Sequence, residues 1–265
     1  DLSTTSLLSI QLHCYQNGNG GIGMSDPVKI WDKRINGRLF AVGDLHGCYN
    51  LLMTRLGQVG FDFDNDLLVS VGDLVDRGPE CRQVLEWLAK PWFHPVRGNH
   101  DDYVCRFDTC DVENWVYNGG AWFAGLAWDE QREFAAQFNE LPIAIEVDTP
   151  AGLVGLVHAD CPFPSWFQLQ FALTAQLTPK ELKLVKNTCM WSRSRIEQGD
   201  TTGVLDIHAV ICGHTPLRKP VLLGNVYHID TAGWLPDGSG YFTLLNLGTL
   251  EAIPDIPQKL EWGAA

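Results

Sequence analysis

The 265 residues carry 32 acidic against 19 basic side chains, a formal charge of −13, and 45% of them are apolar. This suffices for one large α/β domain or two small ones, while the acidic excess argues against a nucleic-acid scaffold, which presents a basic face. No apolar run approaches the ~20 residues of a membrane span, and the N-terminus lacks the basic start and long apolar segment of a signal peptide. The eight cysteines, at 14, 48, 81, 105, 110, 161, 189 and 212, never fall at CxxC spacing. That argues against a zinc knuckle and for small buried thiols in a reducing compartment, hence a cytoplasmic location.

Residues 1–23 end in NGNGGIG before Met24 and read as a leader, either an expression-vector remnant or an uncleaved extension without functional weight. From residue 38 the pattern is strand, glycine-rich turn, helix, repeated. Leu39–Val42 is a short apolar strand running into GDLHG. Residues 48–59 place Leu51, Leu52, Leu56 and Val59 on one helical face. Leu67–Val71 is the second strand, running into GDLVDRG, and residues 80–90 form a helix with Val84, Leu85 and Leu88 inward. Phe93–Val96 is the third strand, running into RGNHDD. This alternation predicts an α/β fold with parallel strands, whose functional loops gather at the strands' carboxyl ends.

The stretches 102–140 and 161–200 are irregular and rich in aromatics, and predict helical cap elements over a site. Strands return at Ile143–Val147, Leu153–Val157, Ala209–Ile211, Val226–Ile229 and Tyr241–Leu247; antiparallel pairing of the late ones would give a second sheet and a β-sandwich core. No internal repeat, low-complexity tract or long linker divides the chain, so one compact domain over 24–265 is expected.

The charged residues follow strands in order: Asp44 and His46; Asp73, Asp76 and Arg77; Arg97, Asn99, His100 and Asp101; His158 in GLVHAD; His214 in CGHTP. Carboxylate, imidazole and amide oxygen together suit divalent ions such as Mn, Fe or Zn. Two Asp, one Asn and three His exceed one four-ligand shell, so two ions sharing a carboxylate fit better, with Asp73 the natural bridge. His13, His94, His208 and His228 read as structural.

The set GDLHG, GDLVDRG, GNHD, VHA and GHT resembles the calcineurin-like metallophosphoesterases, nearest to the bacteriophage-lambda type of serine/threonine protein phosphatase and its bacterial relatives, from about residue 36 to 250. The resemblance implies a metallophosphoesterase-type β-sandwich with flanking helices. It implies one ion on Asp44, His46 and Asp73, and a second on Asp73, Asn99, His158 and His214, manganese foremost. It also implies attack on phosphorus by a metal-bridging hydroxide, with His100 as proton donor to the leaving oxygen and Asp76 orienting it. Arg77, Arg97 and, by a weaker match, Arg193 in WSRSRI would bind phosphate oxygens. The implied activity is hydrolysis of phospho-Ser, phospho-Thr or phospho-Tyr in proteins, or of a small phosphomonoester. No nucleic-acid or membrane partner is expected, and the oligomeric state is left open.

Two departures bear on substrate. Asp101 stands where the protein phosphatases have Glu, and Asp there resembles the symmetrical diadenosine tetraphosphatases, which form the alternative reading; those enzymes generally lack the acid that sits here as Asp76. The segment between Cys161 and Cys189 is longer than its lambda-type counterpart. A third alternative, a non-catalytic scaffold, conflicts with the complete ligand set.

Overall fold

The structure, a computed structural model, describes residues 28–30, 37–175 and 177–253. The proposed leader, with His13 and Cys14, lies outside them. The strands are β1 (Val28–Ile30), β2 (Leu39–Val42), β3 (Leu67–Ser70), β4 (Phe93–Pro95), β5 (Ala144–Thr149), β6 (Gly152–Val157), β7 (Ala209–Cys212), β8 (Val221–Leu223), β9 (Val226–His228), β10 (Leu244–Asn246) and β11 (Ala252–Ile253). One sheet has the order β11-β10-β2-β3-β4, the other β1-β5-β6-β7-β9-β8. In the first, β2, β3 and β4 are parallel and β10 runs antiparallel to β2. In the second, β6, β7 and β9 are parallel, β5 runs antiparallel to β6 and parallel to β1, and β8 runs antiparallel to β9.

Strand alternation decides the layering, because successive side chains leave a strand on opposite faces. Ala41, Val69, Ile145, Val147, Val154, Leu156, Ala209 and Ile211 point between the sheets and form the central core. Phe40, Val42, Leu68 and Phe93 point outward to a second core. It is closed by α1 (Tyr49–Gln58), α2 (Val84–Leu88), α3 (Asn99–Cys105), α4 (Val112–Trp115), α5 (Ala121–Ala124) and α6 (Trp128–Asn139). On the other side, Ala144, Val157, Val210 and Val226 meet α7 (Trp166–Thr174) and α8 (Pro179–Trp191), followed by the short α9 (Ser194–Gln198). Both faces of each sheet are covered, which is why the strands read as continuous apolar runs. Helix α8 starts with Thr178 as N-cap and Pro179 in its first turn, and Glu181 Oε2 accepts the Thr178 backbone N–H at 2.9 Å, a capping box.

The architecture is the expected mixed α/β sandwich with flanking helices. Three details differ. The irregular segments are helical and pack largely on the outer sheet faces, while the middle of the first, around Trp115 and Trp122, reaches the site loops. The strand expected over Tyr241–Leu247 shrinks to β10, because Tyr241 forms an isolated bridge to Ala232 and the Thr231 and Thr243 hydroxyls meet at 2.8 Å. The edge strands β1, β8 and β11 are two or three residues long, too short to show a periodicity.

Candidate metal centre

Six parallel strands end on the same rim: β2, β3 and β4 of one sheet, and β6, β7 and β9 of the other. Asp44 and His46 follow β2; Asp73, Asp76 and Arg77 follow β3; Asn99 and His100 open α3 after β4. His158 follows β6, His214 follows β7, and Asp230 follows β9. Layering thus converges residues up to 170 positions apart, as when the His214 backbone N–H donates to Asp44 Oδ1 at 3.0 Å.

The turns that hold these side chains are strained. His46, Asp73, Asp76, Arg77 and His214 all have positive φ, between 43° and 72°, a region costly for residues with a Cβ and concentrated at functional sites. Two glycines allow the close approach. A Cβ on Gly98 would stand 2.1 Å from Asp73 Oδ1, and one on Gly213 would stand 2.2 Å from Asp44 Oδ1.

Two clusters of ligand atoms result, each within 4.8 Å: His46, Asp73 and His100 in one, and Asp73, His158 and His214 in the other. Asp73 belongs to both. Asn99 Oδ1 joins the second, 2.9 Å from His158 Nε2, which lies 3.2 Å from His214 Nδ1. Asp44 falls in neither group by that distance, but it is buried beside Asp73 and Asp230. None of His94, His208 and His228 enters either cluster.

The donor chemistry fits divalent cations. His46 Nδ1–H donates to Val75 O at 2.8 Å, and His158 Nδ1–H donates to Val71 O at 2.7 Å. In each ring this leaves Nε2 with a lone pair toward the cluster, the arrangement that orients ligating histidines. Burial holds both imidazoles below their ordinary pKa and, with His158 close by, pushes His214 down to about 3. All three are therefore in the neutral form that binds metals. Three carboxylates, Asp44, Asp73 and Asp230, are buried together. Burial first, and then the neighbouring anions, raise Asp44 well above the carboxylate range, while burial pushes Asp230 up to about 6. Buried anions crowded in this way call for cations.

Beside the clusters is an acid. His100 Nδ1 lies 2.7 Å from Asp76 Oδ2. Burial works against the imidazolium, but Asp73 and Asp76 raise its pKa above the ordinary 6.5. Asp76 is held by two indoles from the aromatic-rich segment 102–140: Trp115 Nε1–H donates to Oδ2 at 2.8 Å and Trp122 Nε1–H to Oδ1 at 2.7 Å. Only the unusual run of aromatics around NGG hinted at this role.

The arginines separate. Arg77 directs NH1 to His46 Nε2 at 2.7 Å and NH2 to His100 Nε2 at 3.0 Å, so a cation and Arg77 compete for His46 Nε2. Arg193 is exposed and close enough to His158 and His214 to act on both electrostatically, and its guanidinium makes no hydrogen bond or ion pair among the described residues. The structure does not bring Arg97 to the cluster: its NH2 donates to the carbonyls of Asn139 at 2.7 Å and Leu141 at 3.2 Å, and NH1 lies 3.8 Å from Asp102. Its guanidinium ties the start of α3 to the end of α6. Arg195 is likewise structural, with Nε 2.8 Å from Asp160 Oδ1. Asp101 turns inward and accepts the backbone N–H groups of Gly98 and Leu74, each at 2.8 Å. Asp at that position is fully buried and ties two site loops together.

These features match known proteins. Residues 37–218 fit the family model of the calcineurin-like phosphoesterases, and the chain belongs to that family. It is 36% identical over 218 residues to serine/threonine-protein phosphatase 1 of Salmonella typhimurium, covering 78% of this chain and 94% of that protein. It is 32% identical over 213 residues to serine/threonine-protein phosphatase 2 of the same organism, covering 78% and 92%. Among solved structures, one provisionally assigned as a diadenosine tetraphosphatase superposes with a TM-score of 0.59 at 20% identity, covering 85% of this chain and 95% of that one, a likeness of fold. The protein is a metallophosphoesterase, a hydrolase of phosphate esters.

Proposed function

We propose that this enzyme is a cytoplasmic protein phosphatase that removes phosphate from Ser or Thr side chains, using two divalent ions, manganese first among them. The observation that carries the reading is the shared Asp73 carboxylate between two ligand clusters, with the His100–Asp76 pair against the same edge. Asp44, His46 and Asp73 would hold one ion; Asp73, Asn99, His158 and His214 would hold the other. Bound there, such ions supply Lewis acidity, neutralising phosphate oxygens and making water a stronger nucleophile at neutral pH. The protein's own residues do the rest. Arg77 and Arg193 offer forked donors to the remaining phosphate oxygens. His100, kept protonated by Asp73 and Asp76, gives its proton to the departing alkoxide oxygen. Trp115 and Trp122 hold the Asp76 carboxylate in the orientation that serves His100.

The protein-substrate reading is supported by the two Salmonella relatives, matched over nearly their whole length, and by the retained Asp76. The inward turn of Asp101 engages its carboxylate with backbone N–H groups, so that residue weighs for neither the protein nor the dinucleotide reading. No helix among the described residues is long and apolar enough to cross a membrane. One domain over 24–265 is the reading, supported among the described residues by the central core that both sheets share.

The test is hydrolysis of p-nitrophenyl phosphate after chelation and after restoring Mn²⁺, followed by a phosphoserine peptide and diadenosine tetraphosphate side by side. Metal-dependent release of phosphate from the peptide is the expected result. Release of ADP without peptide turnover would replace the reading with the dinucleotide one.

A further inference from the structure

Trp234, on the loop after β9, touches both a proposed metal ligand and a proposed phosphate-binding residue. The Arg77 guanidinium carbon lies 4.4 Å from the centre of the Trp234 ring. The same ring stands edge-on to His46, with centroids 4.8 Å apart and planes at 75°. Its indole N–H points toward the buried Asp230 carboxylate, a weak contact beyond hydrogen-bonding distance. The ring packs on one side against the outer core and on the other against these two side chains of the site. The loop is anchored independently: the Leu217 backbone N–H donates to Asp230 O at 2.9 Å, and the Ala232 N–H donates to Asp230 Oδ1 at 2.9 Å.

Arg77 needs such a support. It has a positive φ of 66°, its fork faces two imidazole nitrogens, and a cation at His46 Nε2 together with the proton on His100 Nε2 would deprive it of both acceptors. A flexible guanidinium that loses an acceptor swings to solvent unless another surface retains it. An aromatic face does so without competing for the fork, because the cation–π attraction acts through the plane and leaves the N–H edges free.

We propose that Trp234 is a positioning residue: its indole face holds the Arg77 guanidinium at the mouth of the metal centre with its N–H edge presented to the substrate phosphate. This rests on the functional reading above. It predicts an effect on phosphate affinity that passes through Arg77 and through no other residue.

The experiment is titration of inorganic phosphate into the Mn²⁺-loaded protein by calorimetry, with Trp234→Leu, Trp234→Phe, Arg77→Met and the Trp234→Leu/Arg77→Met double variant. Trp234→Leu should weaken phosphate binding about tenfold, with bound manganese unchanged, and Trp234→Phe should recover most of the loss. In the Arg77→Met background, Trp234→Leu should cost nothing further, since the residues act as one unit. Unchanged affinity in Trp234→Leu, or losses that add in full in the double variant, would overturn the inference and leave the enzyme assignment intact. A wild type that binds manganese but no phosphate overturns both. If the Leu variant does not fold, the wild type still decides: the Arg77 Nε–H resonance, identified by its loss in Arg77→Lys, should be displaced by the indole ring current, and an undisplaced resonance rejects the contact.

Discussion

His100 and Asp76 face each other across 2.7 Å, and the same Asp76 carboxylate also takes the N–H groups of Trp115 and Trp122. The proposed acid thus has its partner carboxylate fixed from three sides. Removing the imidazole while keeping a polar side chain of similar reach, as in His100→Asn, should lower kcat by about 10²–10⁴-fold. Bound metal should persist, because Asp73 and the other histidines remain. Stopped turnover assays with metal analysis on one sample check both; near-wild-type turnover would reject His100 as the proton donor.

The pH profile carries a sign. His100 titrates above 6.5 because Asp73 and Asp76 outweigh its burial. The protonated, competent form is therefore complete at low pH and is lost as pH rises through that raised value. Asp76→Asn removes one of the raising carboxylates, so the alkaline fall of kcat should move to lower pH, alongside a lower maximum. An alkaline limb that stays in place would separate Asp76 from the acid.

Asp73 lies in both ligand clusters. Asp73→Asn keeps the shape and removes the shared charge, and both ions should be held more weakly. Metal content after gel filtration in dilute Mn²⁺ is expected to fall below one ion per chain; two ions retained at full occupancy would contradict the bridging role.

The two arginines outside the catalytic pair should behave oppositely. Arg193→Ala removes an exposed guanidinium with no partner among the described residues, and should raise KM roughly tenfold with thermal stability unchanged. Arg97→Ala deprives the Asn139 and Leu141 carbonyls of a buried donor and should destabilise the fold by roughly 2–3 kcal/mol, with little change in KM. Thermal melts beside Michaelis curves distinguish them, and equal effects on KM would undo the separation.

Far from the site, Asp66 is buried while accepting N–H groups from the backbones of Arg38 at 2.6 Å and Asp62 at 2.9 Å and from the Arg38 guanidinium at 2.7 Å. Burial alone would raise its pKa, but these donors hold it below the ordinary 3.8. A depressed carboxyl contributes stability above its unfolded value and loses it as pH falls through the folded one. Denaturant melts of Asp66→Asn should therefore show a shallower loss of stability below about pH 4 than the wild type. A parallel acid decline would show that other groups govern it.

What the chain itself determined is local. The turns GDLHG, GDLVDRG, RGNHD, VHA and CGHT each place a candidate ligand just past an apolar strand, so both the candidate ligand types and their position at strand ends could be read without coordinates. Tertiary structure decided which side chains converge. Asp101 could not be told from a substrate-facing acid until its carboxylate was seen on the Gly98 and Leu74 N–H groups. Arg97 shares a motif with Asn99 and His100, yet leaves in the opposite direction to bind the end of α6. Trp115, Trp122 and Trp234 carry no motif at all, because an indole that positions a carboxylate or a guanidinium has the same composition and spacing as one that fills a core. Their roles depend on distances across loops 39 or more residues apart, and such distances are set by how two sheets pack rather than by any periodicity along the chain.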